Sequence, residues 1–202
     1  MTGRLSLLSR ALLLGVMLSG GMLGGCTARP DRVDPRTAAD AEIAEIAISF
    51  ERTVERLTSA EDATWHAGWS GNVFVNAFGG ADSEHIGLCH QWRDAVYRGV
   101  LFDVRRVGWV CSGIAINRGT RHEHHAVLVA RPDLEPGELL PEAPETGAYV
   151  LEAWSRGRAD IYRLKDWITL PFFREVEPEL VDVARELRDR DRARGVPAPG
   201  DG

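Results

Sequence analysis

The chain has 202 residues, of which 24 are Lys or Arg, 30 are Asp or Glu and 44% are hydrophobic. That length allows one domain with an extension, and the apolar content excludes a globally disordered chain. A formal net charge of −6 argues against a nucleic-acid-binding protein, which requires clustered basic residues. Three cysteines are too few for a small domain held together by disulfides.

The N-terminal residues have the pattern of a targeting segment. Two arginines precede a short apolar run, residues 11–18, and small residues then lead to Cys26. The run is too short to span a bilayer, and its flanks are those of a signal peptide. The sequence Leu23-Gly24-Gly25-Cys26 resembles a bacterial lipobox, which implies cleavage after residue 25 and acylation of the cysteine. We therefore expect residues 1–25 to be a lipoprotein signal peptide, with plain secretion as the alternative.

Apolar spacing predicts two helices in the first half of the mature chain. After a polar tether at residues 26–34, a helix is predicted to open at Pro35, with apolar side chains at helical intervals over residues 43–57. Residues 60–87 are rich in Gly, Asn and Trp and are predicted to be loops, with one short strand at 72–78. A second helix begins near residue 88.

The second half of the chain is predicted to form strands. Alternation indicates strands at residues 103–111 and 124–130, followed by a surface excursion at 131–147 that is rich in Pro and acids. Residues 148–154 and 159–164 bracket a turn and predict a hairpin. Helices followed by strands indicate an α+β fold.

These elements predict a simple domain organisation. The domain is expected to span residues 35–175 and to include the N-terminal helix. A C-terminal helix over residues 176–194, starting near Pro178, follows it, and residues 195–202 are expected to be a disordered tail.

One set of side chains has the pattern of nucleophilic catalysis. Cys89 lies at the start of the second helix, where the helix dipole and free backbone N–H groups favour the reactive thiolate. His124 and His125 open the clearest strand, and a neutral imidazole there can take the thiol proton. Alternation puts the two histidines on opposite faces of that strand. Glu152 lies in the following strand, where its carboxylate can orient the imidazole.

Four segments around these residues resemble the transglutaminase-like family. They are Gly87-Leu88-Cys89-His90-Gln91-Trp92, Val104–Val110, His125-Ala126-Val127-Leu128-Val129 and Tyr149-Val150-Leu151-Glu152-Ala153-Trp154. The resemblance implies a papain-like fold in which a helix bearing the cysteine packs on an antiparallel sheet. It implies Cys89 as nucleophile, His125 as base and Glu152, in place of the usual Asp, as the orienting acid.

Two other interpretations stay open. A disulfide between Cys89 and Cys111 would make the domain a non-catalytic binding or structural module. Alternatively, His122, His124 and His125, together with Cys89 or His85, could bind Zn or Cu.

The sequence as a whole favours an enzyme at the cell envelope. We expect a bacterial lipoprotein, attached to the membrane through acylated Cys26, on the periplasmic face of the outer membrane in a Gram-negative host. We expect a cysteine hydrolase or acyltransferase that acts on amide bonds of peptides, proteins or peptidoglycan stems. No cofactor, metal or nucleic acid is expected to take part.

Overall fold

A computed structural model describes residues 31–59, 64–71, 73, 86–120, 122–134, 139–140, 143–169 and 178–195. The predicted signal peptide, Cys26 and residues 196–202 lie outside the described residues, as does the strand predicted at 72–78 except for residue 73. Nothing in the described residues therefore bears on these predictions.

The described residues form an α+β fold, as the sequence predicts. Its elements are α1 (Glu42–Thr58), α2 (Cys89–Arg106), β1 (Val110–Ile116), β2 (His124–Ala130), β3 (Ala148–Glu152), β4 (Asp160–Arg163), α3 (Leu164–Trp167), β5 (Pro178–Val181) and α4 (Val183–Ala193). The five strands make one sheet in the order β4-β3-β2-β1-β5, and every described pairing is antiparallel.

Helices α1 and α2 pack together because each carries a continuous apolar stripe. Ile43, Ile46 and Phe50 of α1 are fully buried, as the predicted helical spacing requires. The two helices approach closely at Gly99, where an added Cβ atom would lie 2.2 Å from Thr53 Oγ1. None of the helices in the described part of the chain is long and apolar enough to cross a membrane.

The sheet is buried on both faces, and alternate residues of β2 belong to different cores. Val127 and Val129 pack with α1 and α2 in one core. Leu128 packs with Leu164 and Trp167 of α3 in the other core. All seven residues of β2 are buried, so the two adjacent histidines at its start lie inside the protein on opposite faces of the sheet.

Three predicted elements have different boundaries in the structure. Helix α1 begins at Glu42 rather than at Pro35. Residues 103–106 continue helix α2 rather than beginning a strand, because Val104 extends the buried helical row of Val96 and Val100. Gly108, with φ of +79°, follows the helix, and the strand begins at Val110.

The C-terminal segment also differs from its prediction as a single helix. Residues 178–181 form strand β5, which pairs with β1 at the edge of the sheet. Pro178 is the first residue of that edge strand, a position that tolerates the missing N–H. The helix itself begins after Asp182, whose side chain accepts a hydrogen bond from Arg185 N at the helix start.

Candidate active site

Cys89 is the first residue of helix α2, and the helix start around it is held by a side chain. Gln91 Oε1 accepts hydrogen bonds from Gly87 N at 3.1 Å and Leu88 N at 2.9 Å. The Cys89 side chain is buried, and its Sγ atom donates to the Glu123 carbonyl oxygen at 3.9 Å. The cysteine therefore lies against the residue that immediately precedes strand β2.

His124, the first residue of β2, connects this cysteine to a carboxylate. Its Nε2 atom lies 2.5 Å from Glu152 Oε2, and the side chains of both residues are at most 5% exposed. Cys89 also acts on the imidazole electrostatically, in the direction that favours the protonated ring. Three elements thus bring a thiol, an imidazole and a carboxylate together in that order.

The histidine and the carboxylate stabilise each other in their charged forms. Burial alone would lower the pKa of His124, but the charge of Glu152, the interactions with Cys89 and the hydrogen bond to Glu152 raise that pKa to about 10. Burial would raise the pKa of Glu152, yet the charge and hydrogen bond of His124 lower it. These surroundings favour the imidazolium and the carboxylate over the neutral forms of the pair.

Glu152 is itself oriented by donors that follow it in the chain. Its Oε1 atom accepts from Ser155 N at 3.0 Å and Ser155 Oγ at 3.2 Å, and its Oε2 atom accepts from Trp167 Nε1 at 3.4 Å. The carboxylate has few alternative positions because both of its oxygens are bound.

Two tryptophan rings enclose the charged pair. The ring centroids of Trp154 and Trp167 lie 5.1 Å and 5.7 Å from that of His124. Trp154 is held in turn by a hydrogen bond from its Nε1 atom to the Gly87 carbonyl oxygen at 2.6 Å. Aromatic walls of this kind exclude water and strengthen the electrostatic interaction between His124 and Glu152.

In the structure His125 contacts Arg93 and Glu123 rather than Glu152. His125 lies on the opposite face of β2, where its Nδ1 atom is 3.0 Å from Arg93 Nη1 and its Nε2 atom is 2.5 Å from Glu123 Oε1. Both ring nitrogens are therefore engaged on the face that packs against α2. The alternation of side chains along β2 gives the contact with Glu152 to His124 instead.

The structure does not contain the alternative disulfide. Cys89 and Cys111 are both free thiols. Cys111 pairs with Val129, whereas the Cys89 end of the sheet is where His124 pairs with Ile116. Five residues along a strand correspond to about 17 Å, whereas a disulfide requires Cα atoms less than about 7 Å apart. Burial also raises the pKa of Cys111 to about 12, so this thiol is unreactive at neutral pH.

The alternative metal site finds no support in the described residues. Among them, no group of three His, Cys, Asp or Glu side chains is arranged to hold a metal ion. His85, one of the proposed ligands, lies outside these residues. His124 and His125 point to opposite faces of β2 and cannot bind one ion together.

Two grooves of about 630 Å³ and 480 Å³ lie beside the N-terminal segment rather than at Cys89. The larger is lined by residues 31–35 together with Arg156, Asp160 and its neighbours. The buried Asp160 carboxylate is already bound by Arg32 at 3.0 Å and by Arg156 at 2.6 Å. The grooves therefore present paired charges and no nucleophile.

The sequence did not reveal the two groups that complete the site. Ser155 appeared only as part of a predicted turn, and Trp167 lies fifteen residues beyond the carboxylate it binds. The doubled histidine was the one available signal that a residue other than His125 could be involved.

Comparison with known proteins adds no assignment to this geometry. No protein-family model, curated protein or solved structure matches the chain. The candidate function therefore depends on the contacts of Cys89, His124 and Glu152 themselves.

Proposed function

We propose that this protein is a cysteine hydrolase or acyltransferase that acts on amide bonds through Cys89, His124 and Glu152. The observation that carries the proposal is the buried pair of His124 and Glu152, at 2.5 Å, beside a thiol at a helix start. A structural cysteine needs neither a charged imidazole nor an orienting carboxylate. An activated nucleophile needs both.

The charge distribution supports His124 as the group that takes the proton of the Cys89 thiol. Because Glu152 favours the protonated imidazole, the proton passes to His124 as the sulfur attacks the carbonyl carbon. Glu152 stabilises the imidazolium and keeps the ring oriented towards the sulfur.

The reaction then proceeds by acyl transfer in two steps. The Cys89 sulfur forms a bond to the amide carbonyl carbon, the C–N bond breaks, and His124 gives its proton to the leaving amine. Water, or a second amine, next attacks the resulting thioester and loses a proton to neutral His124. The C–S bond breaks, and His124 returns its proton to the Cys89 sulfur.

The arrangement of elements also supports the transglutaminase-like interpretation. Helix α2 packs on the antiparallel sheet, with the cysteine at the helix start, the histidine on β2 and the acid on the neighbouring strand β3. This is the order that the resemblance implies, with the base moved by one residue from His125 to His124. We propose a papain-like core on this basis.

The predicted lipid anchor suggests where such an enzyme would act. With acylated Cys26 and a short tether, the domain would work at the surface of an envelope membrane. We propose peptides, proteins or peptidoglycan stems within reach of the tether as substrates. Hydrolysis is the expected reaction by analogy of fold.

Alkylation kinetics test the nucleophile directly. The folded protein is treated with iodoacetamide at neutral pH, and the modification of each cysteine is followed by peptide mass spectrometry. Cys111 serves as the internal control, because its thiol is half-buried and its raised pKa of about 12 keeps it protonated, so it is expected to react slowly while the protein is folded. We expect Cys89 to react faster than a model thiol in wild type, and more slowly in His124→Gln and in Glu152→Gln.

The outcome distinguishes an enzyme from a scaffold. If Cys89 in the folded wild type reacts no faster than a model thiol, the activated-nucleophile assignment is wrong. Equal rates in wild type and His124→Gln would instead remove His124 from the site while leaving Cys89 as a reactive thiol.

A further inference from the structure

A second polar cluster lies on the other face of β2, directly behind the candidate active site. We call Arg93, His125 and Glu123 the Arg93 cluster. The Arg93 side chain is 1% exposed and that of His125 is 4% exposed. Burying such groups is costly unless each is hydrogen-bonded, so this arrangement calls for an explanation beyond packing.

The hydrogen bonds of the Arg93 cluster define the protonation of His125. A guanidinium only donates, so the Nδ1 atom of His125, at 3.0 Å from Arg93 Nη1, must be an unprotonated acceptor. The ring proton is then on Nε2, which donates to the Glu123 carboxylate at 2.5 Å. Burial and the charge of Arg93 lower the pKa of His125, in agreement with a neutral ring. A neutral ring with both nitrogens engaged does not serve as the base for Cys89.

Glu123 links this cluster to the nucleophile. Its carboxylate also accepts from Gly119 N at 2.6 Å and so closes the loop between β1 and β2. Its backbone carbonyl is the group that accepts from Cys89 Sγ at 3.9 Å. The residues on both sides of His124 are thus anchored on the α2 face, and the backbone from which His124 projects has little freedom to move.

Helix α4 strengthens the cluster from outside. Glu186 accepts from Arg93 Nη2 at 2.7 Å and from Arg118 Nη2 at 2.7 Å. Asp94, next to Arg93 on α2, binds both Arg93 and Arg190 of α4. The C-terminal helix therefore holds helix α2 and the loop between β1 and β2 in one arrangement.

We propose that Arg93, His125 and Glu123 are positioning residues, which hold the Glu123 carbonyl and the start of β2 against Cys89 and so align the thiol with His124. The proposal depends on the proposed function of Cys89 and His124. It also gives the two adjacent histidines different tasks: His124 takes part in proton transfer, and His125 fixes the backbone beside it.

Substitution of His125 tests this proposal by Cys89 alkylation. His125→Leu removes both hydrogen bonds, and we expect Cys89 to react about tenfold more slowly, since small displacements of reacting groups have effects of this size or larger. His125→Gln retains a donor for Glu123 and is expected to recover most of the rate. Arg106→Gln is the matched control, because this arginine of α2 makes an exposed ion pair with Glu45 away from the site.

A second variant tests the same proposal in case His125→Leu does not fold. Glu123 is 31% exposed in its side chain, so Glu123→Ala removes the anchor without opening the core. Melting temperatures establish that each variant is folded. We expect Glu123→Ala to slow the reaction of Cys89 to the same extent as His125→Leu.

The pH dependence separates positioning from a general structural role. Protonation of His125 would present a second cation to Arg93 and abolish the acceptor, so wild type should lose alignment at acidic pH. The rate ratio of His125→Gln to wild type is therefore expected to be near one at pH 8 and to rise only well below the ordinary histidine pKa of about 6.5, because burial and Arg93 lower the pKa of His125. The charged or titratable groups around His125 are Arg93, Asp94 and His90 on α2, Glu123 and Arg118 on the loop, and Glu186 and Arg190 on α4.

The possible results separate this proposal from the proposed function. A wild-type Cys89 no faster than a model thiol refutes both. A fast wild type together with unchanged rates in folded His125→Leu and Glu123→Ala refutes the positioning role alone. A flat rate ratio for His125→Gln across pH likewise contradicts the proposed alignment by neutral His125.

Discussion

Removal of the Glu152 carboxylate is the perturbation for which the structure gives the clearest magnitude. The side chain accepts hydrogen bonds from Ser155 N, Ser155 Oγ and Trp167 Nε1, and it neutralises the charge of His124. Glu152→Ala removes all of these interactions at a site that is 3% exposed. Breaking a buried ion pair by deleting one partner costs about 3–5 kcal/mol.

This cost should be visible in thermal unfolding. For a chain of this size each kcal/mol changes the melting temperature by about 2–4 °C, so Glu152→Ala is expected to melt about 6–20 °C below wild type. Glu152→Gln keeps an oxygen that can accept from Ser155, so its melting temperature should fall less than that of Glu152→Ala. The matched control is Glu45→Ala, since Glu45 pairs with Arg106 on the surface with both side chains about half exposed.

Comparison with Glu45→Ala tests whether His124 and Glu152 form a buried ion pair. If Glu152→Ala melts at the same temperature as Glu45→Ala, the pair of His124 and Glu152 does not exist as a buried ion pair. A large loss of stability in Glu152→Gln as well as in Glu152→Ala would show that geometry, rather than charge, dominates the interaction.

Further predictions concern pH, packing and capping. The raised pKa of His124, about 10, stabilises the folded protein fully below pH 6.5, and this stabilisation declines as the pH rises towards 10. The lowered pKa of Glu152 stabilises the folded protein above pH 4.5, and this stabilisation is lost as the pH falls below that value. The difference in unfolding free energy between wild type and Glu152→Gln, from urea titrations, should therefore be largest between pH 4.5 and 6.5; a constant difference would contradict the assignment. In Gly113→Ala the new Cβ would lie 2.6 Å from Val183 Cγ2, which should cost about 1–3 kcal/mol in urea unfolding, with recovery in the double variant with Val183→Ala. Asp182→Ala removes the N-cap of α4 and should cost about 1 kcal/mol; no loss in the same titration would show that the cap is not needed.

The fold class could be predicted because hydrophobic spacing is a local property of the chain. The helical stripe from Ile43 to Leu57 and the alternation along β2 are visible in the sequence and are buried as expected. The ends of the helices and strands were harder to predict. Val104 fits either a strand or the end of a helix, and only its packing beside Val100 in the core selects the helix.

In the candidate site, too, some residues could be predicted from the sequence and others depended on the tertiary structure. Cys89 and Glu152 were identified from the types and order of residues, and both belong to the cluster that the structure describes. Choosing between His124 and His125 required knowing what covers each face of β2. The motif favoured His125, but Arg93 occupies that face and binds its ring.

The sequence by itself determined which residues are chemically able to act: a thiol at a helix start, two imidazoles at a strand start and an acid on the next strand. The sequence could determine this because residue type and periodicity are local properties of the chain. Tertiary structure alone decided which imidazole meets the acid, since that choice depends on Trp167, Ser155 and Arg93, which reach β2 and β3 from other parts of the chain. Long-range packing thus assigns different surroundings, and we propose different tasks, to two identical neighbouring side chains.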